Sequence, residues 1–445
     1  MNRRTFIAQA GAALTAAALA SVSPPWTQTP ADVKLEIAPL GLEIAPGKVV
    51  HTVAYNGRVP GPLIRWPEGK PIAIDVFNRT AIPEIVHWHG LLIPSAMDGS
   101  AEEGGTMIAP GAEFRYLFTP RPAGFRWYHT HAFAGHDLKR ATYTGQFGCF
   151  YIESGEDAGA YDQEIFLTLH DWNAYTSGGD SMEAAYEYGT INGRMLNFGD
   201  PLRVREGQRV LLHFLNASAS LVHWLALAGH GLTVVAMDGN PVPKPGPMPA
   251  IRLGPAERID AAVTMNQPGV WILGETRDQL RKTGMGIVVE YANQQGKPKW
   301  IEPPETSWDY KHFATTLRAI HEPDEVIPLR FESKFHGQGN FDSWMINGKS
   351  YPHTDTIMLR EGKRYRLQML NRSSDDHPLH LHRHTFEVTS LDRMPLSGLF
   401  KDVLMVPANT TAEVDFTASN PGATLFHCHN QTHMDLGFMM LFRYA

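Results

Sequence analysis

The chain has 445 residues, which at roughly 150 residues per domain is enough for about three domains. Hydrophobic residues make up 43% and aromatics 10%, excluding a disordered or fibrous chain, while 40 glycines and 32 prolines favour many short strands over long helices. With 39 basic and 46 acidic residues the net charge is −7 and no basic block occurs, which argues against a nucleic-acid partner, and two cysteines exclude a disulfide framework.

Residues 1–20 read MNRRTFIAQAGAALTAAALA. Arg3 and Arg4 precede an alanine-rich apolar run that ends in a small-residue cleavage pattern. The run falls short of the roughly 20 strongly apolar residues of a membrane span. It resembles a twin-arginine export signal, which implies a periplasmic protein exported already folded. A Pro/Ser/Thr linker follows to residue 30, and no later run is apolar enough to span a bilayer.

One pattern then appears three times. Asn56-Gly57 is followed by Glu68-Gly69, the run PIAIDVF and Asn78; Asn192-Gly193 by Glu206-Gly207, RVLLHFL and Asn216; Asn347-Gly348 by Glu361-Gly362, RYRLQML and Asn371. The distance from Gly69, Gly207 or Gly362 to its asparagine is nine residues in every copy. The runs between are short, rich in β-formers and bounded by turn residues, so they read as strands. Copies 138 and 155 residues apart have the period of a domain, too long for a solenoid repeat. The boundaries expected are 1–30 for signal and linker, then domains at 31–155, 160–295 and 325–445. Each domain reads as an antiparallel β-sandwich, with one short helix expected around 307–320.

Histidine carries the functional signal. Nearly half of the 21 histidines fall in four clusters: His87-Trp88-His89, His129-Thr130-His131, His377-Pro378-Leu379-His380-Leu381-His382, and His427-Cys428-His429 with His433. On a strand residues i and i+2 share a face, so each His-x-His can aim two imidazoles at one spot. Imidazole-rich sites suit Zn, Cu, Fe or Ni, and one thiolate with two histidines suits a blue-copper electron-transfer centre. Zinc has no redox chemistry that would call for eight further imidazoles.

In the content, order and spacing of these four motifs the chain resembles a three-domain multicopper oxidase of the laccase type. The resemblance implies an all-β fold of three tandem cupredoxin-like Greek-key sandwiches. It implies four copper ions: one type 1, one type 2 and two type 3, the last three forming a cluster between the first and third domains. By motif position His377, Cys428 and His433 match the type 1 ligands, and His87 and His380 the type 2 ligands. His89, His129 and His429 match one type 3 copper; His131, His382 and His427 match the other. Phe438, five residues after His433, takes the axial type 1 position and has no donor atom; the rival is a slip that brings Met439 there. Asp98, eleven residues after His87, matches an acidic position that supplies protons near the type 2 copper. Met434 and Gln431 stand where relatives carry acids, so Asp98 is expected to carry more of that work.

The remaining singletons read as structural. His384, beside Arg383, resembles a family histidine that is not a ligand; Cys149 sits in an apolar strand; His170, His213, His223 and His230 are isolated. The function implied is oxidation of a small reducing substrate, a phenol or aromatic amine, coupled to reduction of O₂, in a monomer. Rival readings are a metal oxidase acting on Cu(I), Mn(II) or Fe(II), which an acidic or Met-lined cup near His377 and His433 would favour, and a copper-free cupredoxin scaffold. A two-domain nitrite reductase is shorter and lacks the paired His-x-His array.

Overall fold

The structure is a computed structural model that describes residues 30–155, 161–176, 183–315, 322–337 and 342–445. The expected export signal lies outside the described residues. Among those described, six sheets stack in three pairs along the chain. The first sandwich pairs a sheet ordered Lys48–Tyr55, Val33–Ala45, Ile72–Asn78, Glu113–Phe118 with one ordered Ile64–Pro67, Phe147–Glu153, Gly124–Thr130, Val86–His89. The second and third sandwiches each pair a six-stranded with a five-stranded sheet. The fold is all-β and cupredoxin-like.

The repeat explains itself in turn chemistry. Asn56-Gly57, Asn192-Gly193 and Asn347-Gly348 hold positive φ at both residues (51° and 65°, 53° and 74°, 53° and 78°), the geometry of a tight hairpin turn. Each asparagine then ties down a neighbouring strand. Its Oδ1 accepts the N–H of Glu36, Thr168 or Arg330, and its Nδ2 donates to the carbonyl of Lys34, Phe166 or Pro328. In each copy the run that follows, Ile72–Asn78, Arg209–Asn216 or Arg364–Asn371, lies parallel to the opening strand of its sandwich.

Burial along these runs shows how the sandwiches meet. In Arg364–Asn371 it alternates, Tyr365, Leu367 and Met369 inward against Arg364, Arg366 and Gln368, as one wet face requires. In Arg209–Asn216 every residue after Arg209 is buried, because the outer face of this strand is covered too. Leu215 joins a junction core with Phe125 and Trp127 of the first sandwich and Val403 of the third. A larger apolar core runs unbroken from the second sandwich into the third. Helix is scarce. The segment expected to be helical at 307–320 shows one 3₁₀ turn, Tyr310–His312, capped by the Asp309 carboxylate, and 316–320 lie outside the described residues.

One backbone position controls the first sandwich's approach to the histidines. The one-turn helix Ser95–Asp98 ends at Gly99, in a left-handed conformation with φ 87°. A Cβ added there would lie 1.7 Å from the Val86 carbonyl oxygen, on the strand of His87 and His89. Gly104 has a similar φ of 92° and open space around it. Gly104→Ala is therefore expected to cost about 1–2 kcal/mol, the left-handed penalty alone, and Gly99→Ala at least about 3 kcal/mol, because backbone must also move. Denaturant unfolding of the two variants side by side measures the difference.

Candidate metal centre

Four strands in two pairs deliver the histidines. In the first sandwich Val86–His89 lies against Gly124–Thr130, with Val86 opposite Thr130 and His87 opposite His129. In the third, His377–Leu381 lies against Thr424–Cys428, with Leu379 opposite Cys428 and His380 opposite His427. The two ladders share one register. His87 corresponds to His380, His89 to His382, His129 to His427 and His131 to His429.

The sandwiches face each other so that these eight rings close a chamber with an approximate two-fold axis. His87 stacks on His382 at 4.0 Å and His89 on His380 at 3.8 Å. Two groups have ligand atoms within 4.8 Å of one another: His89, His129 and His429, and its two-fold image His382, His427 and His131. His87 and His380 lie between them, closing a further group with His89. Neither sandwich alone completes any of these sets. The eight histidines expected as ligands are brought together in these groups, and Asp98 joins His87 and His382 in a further one.

Hydrogen bonds set which nitrogen faces the chamber. The Nδ1 of His87, His129, His380 and His427 donates to the carbonyl oxygens of Asp98, Thr130, Asp402 and Cys428, at 2.7–2.9 Å. A carbonyl only accepts, so these rings carry their proton on Nδ1 and turn an Nε2 lone pair inward. The Nε2 atoms of His87, His131, His380 and His429 are buried with no protein partner. Burial holds His89, His129, His131, His380 and His427 well below the usual histidine range, and His429 at about 3. Neutral imidazoles with inward lone pairs are a donor set that fits a transition-metal cation.

The fourth group lies on the other face of the same strand. Cys428 Sγ is 3.8 Å from His377 Nδ1 and 3.6 Å from His433 Nδ1, which are 3.2 Å apart. His433 rides on the one-turn helix Gln431–Asp435, capped by Asn430. Ser373 Oγ lies 2.7 Å from His377 Nε2, and the Trp344 ring lies 3.9 Å from that of His433. Phe438 is fully buried and its ring packs 4.8 Å from His377, whereas Met439 packs the opposite way with Leu425 and Met434. Burial pushes the Cys428 thiol well above its ordinary range, so the thiolate needs a cation to exist there.

Two aspartates brace the chamber, related by the same two-fold. The Asp98 carbonyl holds His87, and its carboxylate meets His382 of the other sandwich at 2.8 Å. The Asp402 carbonyl holds His380, and its carboxylate meets His89 of the other sandwich at 3.1 Å. Asp98 thus touches a histidine assigned to each of two groups, not His87 alone. Burial would raise it, but His87 and His382 draw it well below the usual carboxylate range. Behind it Glu103 is pushed well above its range by burial and by the Asp98 charge, so it keeps its proton and the two share it.

Asp402 is gripped in turn by a buried cationic junction. Arg258 of the second sandwich donates to both its oxygens, at 2.6 and 2.5 Å, and Arg126 of the first lies 3.4 Å away. Lys401 pairs with Asp238 and Glu257 of the second sandwich, at 2.9 and 3.1 Å. Asp402, Glu103 and Arg258 escaped the sequence reading. Asp98 follows its histidine by 11 residues and Asp402 by 22, across a hairpin, so no common spacing links them. The singletons sit apart from the chamber. His384 bonds the His382 carbonyl and the Tyr444 hydroxyl, His213 meets Asp260, and His230 meets Tyr291. His170 bonds the Ala217 carbonyl, and burial pushes the Cys149 thiol up to about 12.

Comparison with known proteins follows the same lines. Three family models described as multicopper oxidase match residues 41–157, 163–293 and 327–445. Multicopper oxidase MmcO of Mycobacterium tuberculosis is 30% identical over 88% of this chain and 82% of its own. Bilirubin oxidase of Albifimbria verrucaria is 26% identical over 92% and 76%. A crystal structure of a multi-copper oxidase from Pseudomonas thermotolerans superposes with a TM-score of 0.74 at 26% identity, covering 94% of this chain and all of the other.

The junction makes a quantitative demand. Arg258→Met leaves the Asp402 charge buried without its main partner, and truncating one side of such a pair costs about 3–5 kcal/mol. Denaturant unfolding should show that loss, and the same stability as the parent would mean that Arg126 alone suffices.

Proposed function

Because this chain belongs to the multicopper oxidase family, a copper-dependent oxidoreductase family using O₂, we propose that it is a laccase-like member oxidising phenols and aromatic amines. The observation that carries the reading is the convergence of ten histidines and one cysteine into four donor groups. His377, Cys428 and His433 would hold a type 1 copper, His87 and His380 a type 2 copper. His89, His129 and His429 would hold one type 3 copper, and His131, His382 and His427 the other. Such copper supplies one-electron oxidation of substrate beside Cys428 and, in the chamber, reduction of O₂ with four electrons and four protons to two waters.

The chain's own residues do the rest. Residues 427–429 tie the two centres together, since Cys428 faces one and its neighbours the other. Phe438 offers no donor atom beside His377, so a copper held there would have His377, Cys428 and His433 as its protein donors and would have a higher potential than one with a thioether. The Asp98–Glu103 pair holds a proton against His382 and His87 and is suited to supplying protons to the chamber. Each chain carries a full donor set, as a monomeric enzyme requires. Export through the twin-arginine route remains our reading of Arg3 and Arg4. Among the described residues no helix is long and apolar enough to cross a membrane.

A specific feature favours a second reading, oxidation of metal ions such as Fe(II), Cu(I) or Mn(II). Glu183 Oε1 lies 3.6 Å from His433 Nε2. Asp375, raised by burial and by the charges of Glu183, Asp342 and Asp376, stands in the same acidic field.

Cys428→Ser tests the main reading. It should abolish the intense blue absorption and substrate oxidation while chamber copper stays bound, and a blue, active variant would refute the assignment. Glu183→Gln separates the two substrate classes. KM for Fe(II) or Mn(II) should rise several-fold with phenol kinetics unchanged if cations are the substrate, and neither should move if phenols are.

A further inference from the structure

The strand register carries the internal repeat down to single residues. In the third sandwich His377 lies opposite Val406 and Leu379 opposite Cys428. In the second, His223 lies opposite Leu253 and Leu225 opposite Glu275. In the first, Glu84 bridges to Ile108 and Val86 lies opposite Thr130. A second marker fixes the same alignment. The asparagine that closes each repeat, Asn371, Asn216 or Asn78, donates its Nδ2 to the carbonyl of Val406, Leu253 or Ile108. His377, His223 and Glu84 therefore occupy one structural position, and Cys428, Glu275 and Thr130 another.

Where the third sandwich holds a nitrogen and sulfur donor set, the second holds a closed ion cluster. His223 Nδ1 lies 2.9 Å from Glu275 Oε2, and its Nε2 lies 2.8 Å from Asp171 Oδ2. All three residues are at most 2% exposed. Ionised carboxylate oxygens only accept hydrogen bonds, so both ring nitrogens must donate and the ring is an imidazolium. Arg277 donates to Glu275 at 3.0 Å, so two cations balance two anions. The Ser218 hydroxyl also bonds Asp171. Next to Asp171, His170 is held neutral by burial at about 4, and Tyr186 stays protonated because burial raises it. Burial would lower His223, but Asp171 and Glu275 outweigh it and raise it to about 9. Burial would raise Glu275, but His223 and Arg277 draw it to about 2.

The cluster reaches the third sandwich through one loop. After Ser218, the Ala219 carbonyl accepts the N–H of Gln431, first residue of the one-turn helix that carries His433, at 3.0 Å. Ser220 bonds the Tyr186 hydroxyl at 2.7 Å and closes the loop's far side.

We infer that Asp171, His223 and Glu275, with Arg277 as the second cation, form a charge-balanced clamp in which a protonated imidazole stands where the third sandwich would hold its metal. The clamp positions His433 through Ser218 and Ala219. The positioning half rests on reading the Cys428 site as type 1; the clamp itself does not. Its pH dependence follows from the two shifts. The raised His223 stabilises fully below its ordinary pKa near 6.5 and loses that effect as pH climbs through about 9. The lowered Glu275 stabilises above its ordinary range and loses that effect as pH falls towards about 2.

The test uses the copper-loaded full chain and Glu275→Gln. At pH 6 the variant should lose several degrees of Tm, and the gap should narrow as pH passes about 9. A gap constant from pH 6 to 10 overturns the clamp. At pH 6 the variant should also shift the blue band and the type 1 potential at unchanged copper content. His230→Phe, which breaks the buried bond to Tyr291 in the same sandwich, should lower Tm and leave both unmoved. If Glu275→Gln loses Tm without moving band or potential, the positioning role is wrong. A parent with no blue band would sink the type 1 reading and leave the Tm comparison to decide the clamp. Should Glu275→Gln not fold, ¹⁵N-histidine spectra of the reduced parent at pH 8 should still show a ring protonated on both nitrogens, and finding none overturns the clamp.

Discussion

Eight imidazoles held out of water with their lone pairs turned on one another are the constraint around which the molecule is arranged. The rings are buried, and the Nε2 atoms of His87, His131, His380 and His429 are left without a protein partner, a configuration that costs free energy until a cation fills it. Collapse or rotation of the rings would relieve that cost, so the surroundings must forbid both. The two-fold relation supplies an economical way of doing so. Each sandwich contributes an aspartate whose carbonyl fixes a ring of its own and whose carboxylate fixes a ring of the other. The chamber cannot loosen without separating two domains.

This gives the middle sandwich a purpose although it presents none of the clustered histidines. Arg258 neutralises Asp402 from behind, Lys401 is received by Asp238 and Glu257, and Ala219 caps the helix of His433. The first sandwich grips that helix from the opposite side. The Tyr143 hydroxyl meets Thr432, and the Ala134 and Gly135 N–H groups donate to Asp435. The short helix is too small to hold its own shape. It is rigid because two foreign domains pin it.

How much of this could be read beforehand divides by the range of the interaction. The three sandwiches were legible because Asn-Gly turns and the nine-residue spacing are local chemistry. The histidine pairs were legible because i and i+2 on a strand share a face; their division into sets came from the resemblance to the family, since the two members of a pair go to different groups. The facing of Phe438 and Met439 to opposite sides is the same rule again. Asp402 and Arg258 were not legible, since each acquires its meaning from a partner 144 residues away, and Glu103 was not, since its role comes from burial beside Asp98 rather than from any motif. His223 was legible as structural but not as part of an ion cluster, because Asp171 and Glu275 carry no motif. Of the helix expected at 307–320, the described residues 307–315 show a single turn, where Trp308 packs on Tyr310 and Phe313 instead of following a helical stripe.

The ladder between His377–Leu381 and Thr424–Cys428 has a consequence for how such a protein can be altered. Its successive rungs serve opposite faces: Leu379 with Cys428 belongs to one centre and His380 with His427 to the other. A one-residue slip would exchange the faces and ruin both together. Backbone change there is all-or-nothing, and an inserted or deleted residue cannot retune one centre while sparing its neighbour. Gradual adjustment is left to side chains that touch a single face, such as Phe438 and Trp344 on one and Asp98 on the other. The two chemistries are mechanically inseparable and adjustable only at their edges.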